Sequence, residues 1–227
     1  MIRILVQAAL AVTLLACASA GAHDLSAGDA NYVEQLRGSA PGTFAYLGAK
    51  HMFTGYDHLL FLTGVLFFLY RGRDILLYVT LFTLGHSVTL MAGVALNWQV
   101  NAHLIDAIIG LSIVYKAFEN MGGFRRLLGR NPDTRIAVLV FGLCHGLGLA
   151  TRIQAYAPRG EGLATNLISF NLGVELGQIA ALGIILMMLL AWRRQPAFNG
   201  QAFAANTVLM CAGFTLTGYQ LAGFVFA

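Results

Sequence analysis

Eight ionisable side chains stand inside apolar stretches of the chain: Asp57, His58, His86, Asp106, Lys116, Glu119, His145 and Glu175, with Asn120, Asn171 and Gln178 beside them. A charged group at the centre of a membrane helix costs at least about 2.5–3.5 kcal/mol, so each needs a partner or a purpose. Neutral imidazole is a ligand for nickel, copper, zinc and iron, and a carboxylate adds charge or orients a ligating ring. Three histidines with acids nearby therefore point to binding or transfer of a divalent transition-metal ion. The metal-ligating candidates are Asp57, His58, His86, His145 and Glu175. His51, Asp106, Glu119, Asn120, Asn171 and Gln178 are candidates for the pathway or for supporting contacts.

Some members of this set have simpler roles. Lys116 and Glu119 are three apart and are expected to pair with each other. Asp57 alone could cap a helix. His103 falls in a loop and carries no function. Tyr70 and Trp192, near helix ends, are interfacial anchors. Cys144 adjoins His145 and is expected to pack, as a small apolar residue does.

The elements that position these groups follow from composition. Of 227 residues, 58% are hydrophobic and 11% charged, with mean hydropathy +0.70. A soluble domain carries roughly 25% charged residues, so the expected class is an all-α polytopic membrane bundle. A net charge of +4 is too small to mark a nucleic-acid binder. A spanning helix needs about 20 apolar residues, and six segments qualify: 52–70, 74–96, 103–122, 134–152, 163–192 and 203–225. They make a six-helix transmembrane domain over 51–227. Before it, 1–22 read as a cleaved signal peptide: Arg3, the apolar run Ile4 to Leu15, then Ala18-Ser19-Ala20 and Ala20-Gly21-Ala22 as cleavage signals. Residues 23–50 form a short, polar extracytoplasmic segment. Cys17 leaves with the signal, and Cys144 and Cys211 lie in spans, so no disulfide framework or Cys-x-x-Cys site is expected.

Loop charge orients the bundle. Arg71, Arg73, Arg125, Arg126, Arg130, Arg135, Arg193 and Arg194 follow spans one, three and five, against Arg37, Lys50, Arg152 and Arg159 on the other side. Eight basic residues against four place both mature termini outside, on the periplasmic side of a bacterial inner membrane. Span depth then brings His58, His86, His145 and Glu175 to the outer half of the bilayer. His51 and His58, seven apart, share one face at about 10 Å axial separation if one helix runs through both. That is too far to share an ion directly. Asn171, Glu175 and Gln178 form one stripe on span five. Gly173 with Gly177, and Gly142 with Gly146, would let neighbouring helices approach closely.

Several strings resemble the HupE/UreJ family. They are Gly55-Tyr56-Asp57-His58-Leu59-Leu60-Phe61-Leu62, Phe82-Thr83-Leu84-Gly85-His86-Ser87-Val88-Thr89-Leu90, and Phe141-Gly142-Leu143-Cys144-His145-Gly146-Leu147-Gly148. To these add Ser112-Ile113-Val114-Tyr115-Lys116-Ala117-Phe118-Glu119-Asn120 and Phe170-Asn171-Leu172-Gly173-Val174-Glu175-Leu176-Gly177-Gln178. The resemblance covers spans one to five in order. It implies a multi-pass bacterial membrane protein of the nickel-permease or metal-handling accessory kind, often linked to nickel hydrogenases or urease. The implied cargo is nickel or cobalt, with copper or zinc as the other transition metals, and no permanently bound cofactor. The implied partners are the lipid bilayer, the ion and metalloenzyme maturation proteins. Leu84-Gly85-His86-Ser87 also looks like a motif of the wider nickel/cobalt permeases. Their His-x4-Asp-His spacing differs from the five residues between His51 and Asp57 here.

An intramembrane zinc hydrolase is the main alternative, as an open zinc site could activate water. The chain contains neither a His-Glu-x-x-His pair nor a Gly-x-Ser-x-Gly nucleophile setting. A haem protein with His86 and His145 as axial ligands and a non-transporting membrane assembly factor are the remaining alternatives.

Overall fold

The computed structural model describes residues 38–156 and 162–226. The signal-peptide segment 1–22 lies outside them. Within them run α1 (Pro41–Thr54), α2 (Tyr56–Leu66), α3 (Gly72–Ala95), α4 (Ala102–Asn120), α5 (Gly123–Leu128), α6 (Thr134–Tyr156), α7 (Leu163–Arg193) and α8 (Phe198–Phe226). The protein is all-helical among the described residues. Prolines mark boundaries: Pro41 opens α1, Pro132 precedes α6 and Pro196 separates α7 from α8, since proline cannot donate inside a helix. Asn101 caps α4 by accepting from the Leu104 N–H at 3.2 Å.

Gly72–Ala95, Thr134–Gln154, Leu163–Arg193 and Phe198–Phe226 are long and apolar enough to cross a membrane. The 19-residue α4 bears Asp106, Lys116 and Glu119, which lower its apolarity. The expected single helix over 52–70 is instead two short ones, with 14 residues in α1 and 11 in α2, broken at Gly55. There ψ is 83°, whereas a helix needs about −42°. The segment 23–50, expected as polar and extramembranous, is helical from Pro41, and α1 packs on α7 through buried Phe44, Leu47 and Gly48.

The bundle is built from closely packed pairs: α3 with α6, α1 with α7, and α4 with α8. Glycines set the spacing. A Cβ on Gly146 would lie 2.0 Å from His86 O, on Gly142 2.4 Å from Phe82 O, and on Gly173 1.9 Å from Ala45 O. Backbones this close leave no room for a methyl group. The expected close approach through Gly142/Gly146 and Gly173/Gly177 is therefore present. Thr89 Oγ1 also donates to Leu143 O at 2.6 Å across the α3–α6 seam.

The short α2 sits among the pairs, against α4 and α7, with Phe61, Leu62, Val65 and Leu66 in the core. Its last carbonyls have no partners within the helix. Arg193 donates from Nη2 to Leu66 O, the last of them, and from Nη1 to Leu69 O just beyond the helix at 2.8 Å. A cation also suits the negative end of the helix dipole.

Candidate metal centre

The break at Gly55 builds the site. The Gly55 N–H still donates to His51 O at 2.8 Å, but the turned ψ redirects the chain, and His51 and His58 meet with ring centroids 5.0 Å apart. The expected 10 Å separation is thus corrected: a continuous helix would keep them apart, and the chain is not continuous there. A Cβ at Gly55 would stand 3.0 Å from both His51 O and His58 Nδ1. Glycine is needed here for space, since its φ of −75° suits any residue.

His58 is the hub. Its ring lies 4.5 Å from that of His145 and 5.7 Å from that of His86. Its Nδ1 is 2.9 Å from Asp57 Oδ1, which also accepts from the His58 backbone N–H at 2.8 Å. When Nδ1 carries the proton, the Asp57 carboxylate fixes that tautomer and leaves the Nε2 lone pair for a ligand. Two overlapping sets of ligand atoms result: His51, His58 and His86, and Asp57, His58 and His145, each within 4.8 Å. Three ligands around a tetrahedral ion at roughly 2.1 Å lie about 3.4 Å apart, so either set must draw in by up to roughly 1.4 Å to close on an ion. Phe82 and Phe61 wall His145 at 5.0 and 5.6 Å, and Phe170 lies 6.3 Å from His51. His58 and His145 have no exposed surface, and His51, Asp57 and His86 are buried. Four imidazoles and a carboxylate in a dry aromatic pocket fit a borderline-soft divalent ion.

The structure separates the other expected residues from this cluster. Glu175 is exposed and stands outside both ligand sets. The stripe Asn171–Glu175–Gln178 straddles the rim of the buried face of α7. The Gly173/Gly177 side is pressed onto α1, Asn171 and Gln178 stay inside, and Glu175, about 40° beyond Asn171 at 100° per residue, falls outside. Asn171 Nδ2 donates to Leu167 O at 3.0 Å, and the Gln178 side-chain amide meets Thr83 Oγ1 at 2.9 Å. Asp106 forms an ion pair with Arg152 between α4 and α6; Arg152 was expected only as an outer-loop charge. Lys116 Nζ meets Glu119 Oε2 at 2.9 Å, the expected pair, and Glu119 also accepts from Thr134. Asn120 Nδ2 donates to Gly64 O at 2.8 Å and to Asn206 Oδ1 at 2.9 Å, joining α4 to α2 and α8. His103 bonds Gln220 at 2.8 Å.

Ser112 was not foreseen. Its Oγ donates to Ile109 O at 2.6 Å and lies 3.4 Å from His145 Nε2. A serine that bonds its own helix has no distinguishing pattern in sequence.

No curated protein and no solved structure matches the chain. The family model described as HupE / UreJ protein matches residues 27–227. That range takes in every residue of the histidine cluster and all the helices described above, so the chain belongs to the HupE/UreJ family.

Proposed function

We propose that the protein is a permease for a divalent transition-metal ion, nickel foremost and cobalt next, in a bacterial inner membrane. The observation that carries this reading is the convergence of His51, Asp57, His58, His86 and His145 from α1, α2, α3 and α6 into one buried cluster. Ionisable groups gathered inside a membrane protein are costly to keep there and mark functional sites. The four apolar helices support membrane insertion. In this reading α1 and α2 together form one broken crossing. With α4 they complete six crossings, both mature termini being periplasmic.

The two ligand sets share His58, so an ion can move between them by exchanging Asp57 and His145 for His51 and His86 without losing every ligand. Stepwise exchange keeps each move shallow in energy, which passage requires of a transport site. Metalloenzyme maturation proteins are the proposed receivers of the ion.

Copper binds such ligands tightest in solution, whatever the physiological cargo, so selectivity is judged by uptake. Nickel and cobalt uptake into vesicles carrying the wild-type chain is expected to fall strongly in His86→Ala and in His145→Ala. Unchanged uptake in both variants would sink the assignment.

A further inference from the structure

Away from the histidine cluster, α3 and α7 border a groove of about 380 Å³. Its polar lining is Thr80, Thr83 and Ser87 from α3 and Glu175 and Gln178 from α7, the rest being aliphatic, and none of the lining residues is cationic. Gln178 is only 1% exposed, and its Nε2, like Ser87 Oγ, is buried with no hydrogen-bond partner among the described residues. Thr83 Oγ1 lies 3.0 Å from Val79 O and 2.9 Å from Gln178 Oε1, yet one hydroxyl proton can serve only one of these acceptors. Turning the Gln178 amide by half a turn satisfies both bonds: Thr83 donates to Val79 O and accepts from Nε2. The side-chain oxygen then takes the buried, unpartnered position of this groove-lining residue. Nitrogen and oxygen of an amide are assigned from such networks.

The groove then offers oxygen ligands alone: the Glu175 carboxylate, the Gln178 carbonyl and the Ser87 and Thr80 hydroxyls. Oxygen sets select hard cations over nickel or copper. One carboxylate neutralises one positive charge, and a divalent ion would leave an uncompensated charge beside aliphatic walls.

We propose that the α3–α7 groove binds a hard monovalent cation, sodium, through Glu175, Gln178, Ser87 and Thr80, and that this occupancy tightens metal binding at the histidine cluster. The second half rests on the metal-permease reading; the sodium site itself does not. The coupling has a direct route. Ser87 follows His86 on α3, and the opposite face of α7 holds α1, which carries His51. A cation bridging α3 and α7 fixes the spacing between the supports of His51 and His86. By linkage, each ion then raises the affinity for the other.

The test uses the full chain in lipid nanodiscs, titrated with NaCl or KCl in choline chloride buffer, and then with Ni²⁺ in the presence and absence of Na⁺. The expected result is saturable Na⁺ binding, weakened at least tenfold in Glu175→Gln and weakened in Ser87→Ala. Na⁺ should raise wild-type Ni²⁺ affinity at least threefold and leave that of Glu175→Gln unchanged. Ni²⁺ binding by Glu175→Gln in choline alone shows that the variant is folded. Absence of Na⁺ binding in the wild type, or equal Na⁺ binding in Glu175→Gln, overturns the site. Na⁺ binding without any change in Ni²⁺ affinity overturns the coupling. If neither protein binds Ni²⁺, the cluster assignment falls while the Na⁺ titration still decides the groove.

Discussion

His51 and His58 are seven positions apart in sequence, yet their rings are 5.0 Å apart in the folded chain. The turned backbone at Gly55 makes this proximity, and it converts two stacked stations into neighbours around one site. Gly55→Ala would place a methyl group 3.0 Å from His58 Nδ1 and displace the Asp57–His58 pair. Displacing a group that orients a metal ligand typically lowers metal affinity about 10- to 100-fold. Ni²⁺ titration should show a loss in that range with little change in thermal melting. Wild-type affinity in Gly55→Ala would mean that the break does not set the site.

The shared position of His58 predicts an unequal mutational pattern. His86→Ala removes one ligand set and His145→Ala the other. Each single variant should retain weakened Co²⁺ binding, whereas His58→Ala, which disrupts both sets, should abolish it. Equal losses in all three variants would speak for one ion position using every ligand together.

Close helix pairs predict which glycines tolerate a methyl group. Gly146→Ala and Gly173→Ala would each drive a Cβ to about 2 Å from a neighbouring carbonyl oxygen. Overpacking of this kind costs about 1–3 kcal/mol, to be read as lower melting temperatures in detergent. Gly183→Ala and Gly218→Ala, with nothing within 4 Å of the added atom, serve as controls and should melt like the wild type or slightly above it.

The Asp106–Arg152 pair predicts a stability effect separable from metal binding. The Asp106 side chain is 2% exposed and that of Arg152 15%. Asp106→Asn leaves a mostly buried guanidinium without its counter-charge, which should cost about 3 kcal/mol. The double variant Asp106→Asn/Arg152→Gln should recover much of this loss, a coupling that a double-mutant cycle measures. Ni²⁺ affinity should be retained in both, and additive losses would argue against the pair.

Much of this architecture was legible in the sequence. Long proline-free apolar runs mark α3, α6, α7 and α8, and small-residue spacing marks the α1–α7 and α3–α6 seams. His58, His86, His145 and Asp57 stood out because ionisable groups are costly among apolar neighbours. The break at Gly55 did not stand out, since glycine is common inside membrane helices and one altered ψ leaves the apolar pattern intact. Glu175 was misplaced because helical periodicity gives a stripe but not the edge of the neighbour that covers it; Asn171 and Gln178 fall inside that edge. Asp106 and Arg152 meet across 46 positions, and a helix pairing that distant has no local signature. The pairing of Lys116 with Glu119 was legible because it needs only the pitch of one helix.

On the proposed reading, buried imidazoles of this cluster hold the transported ion. Nickel K-edge X-ray absorption on the Ni²⁺-loaded full chain, beside His58→Ala, tests it most directly. Outer-shell scattering from two to three imidazoles is expected in the wild type, with its loss in the variant. A first shell of oxygen alone in the wild type, or an identical spectrum from His58→Ala, would contradict it.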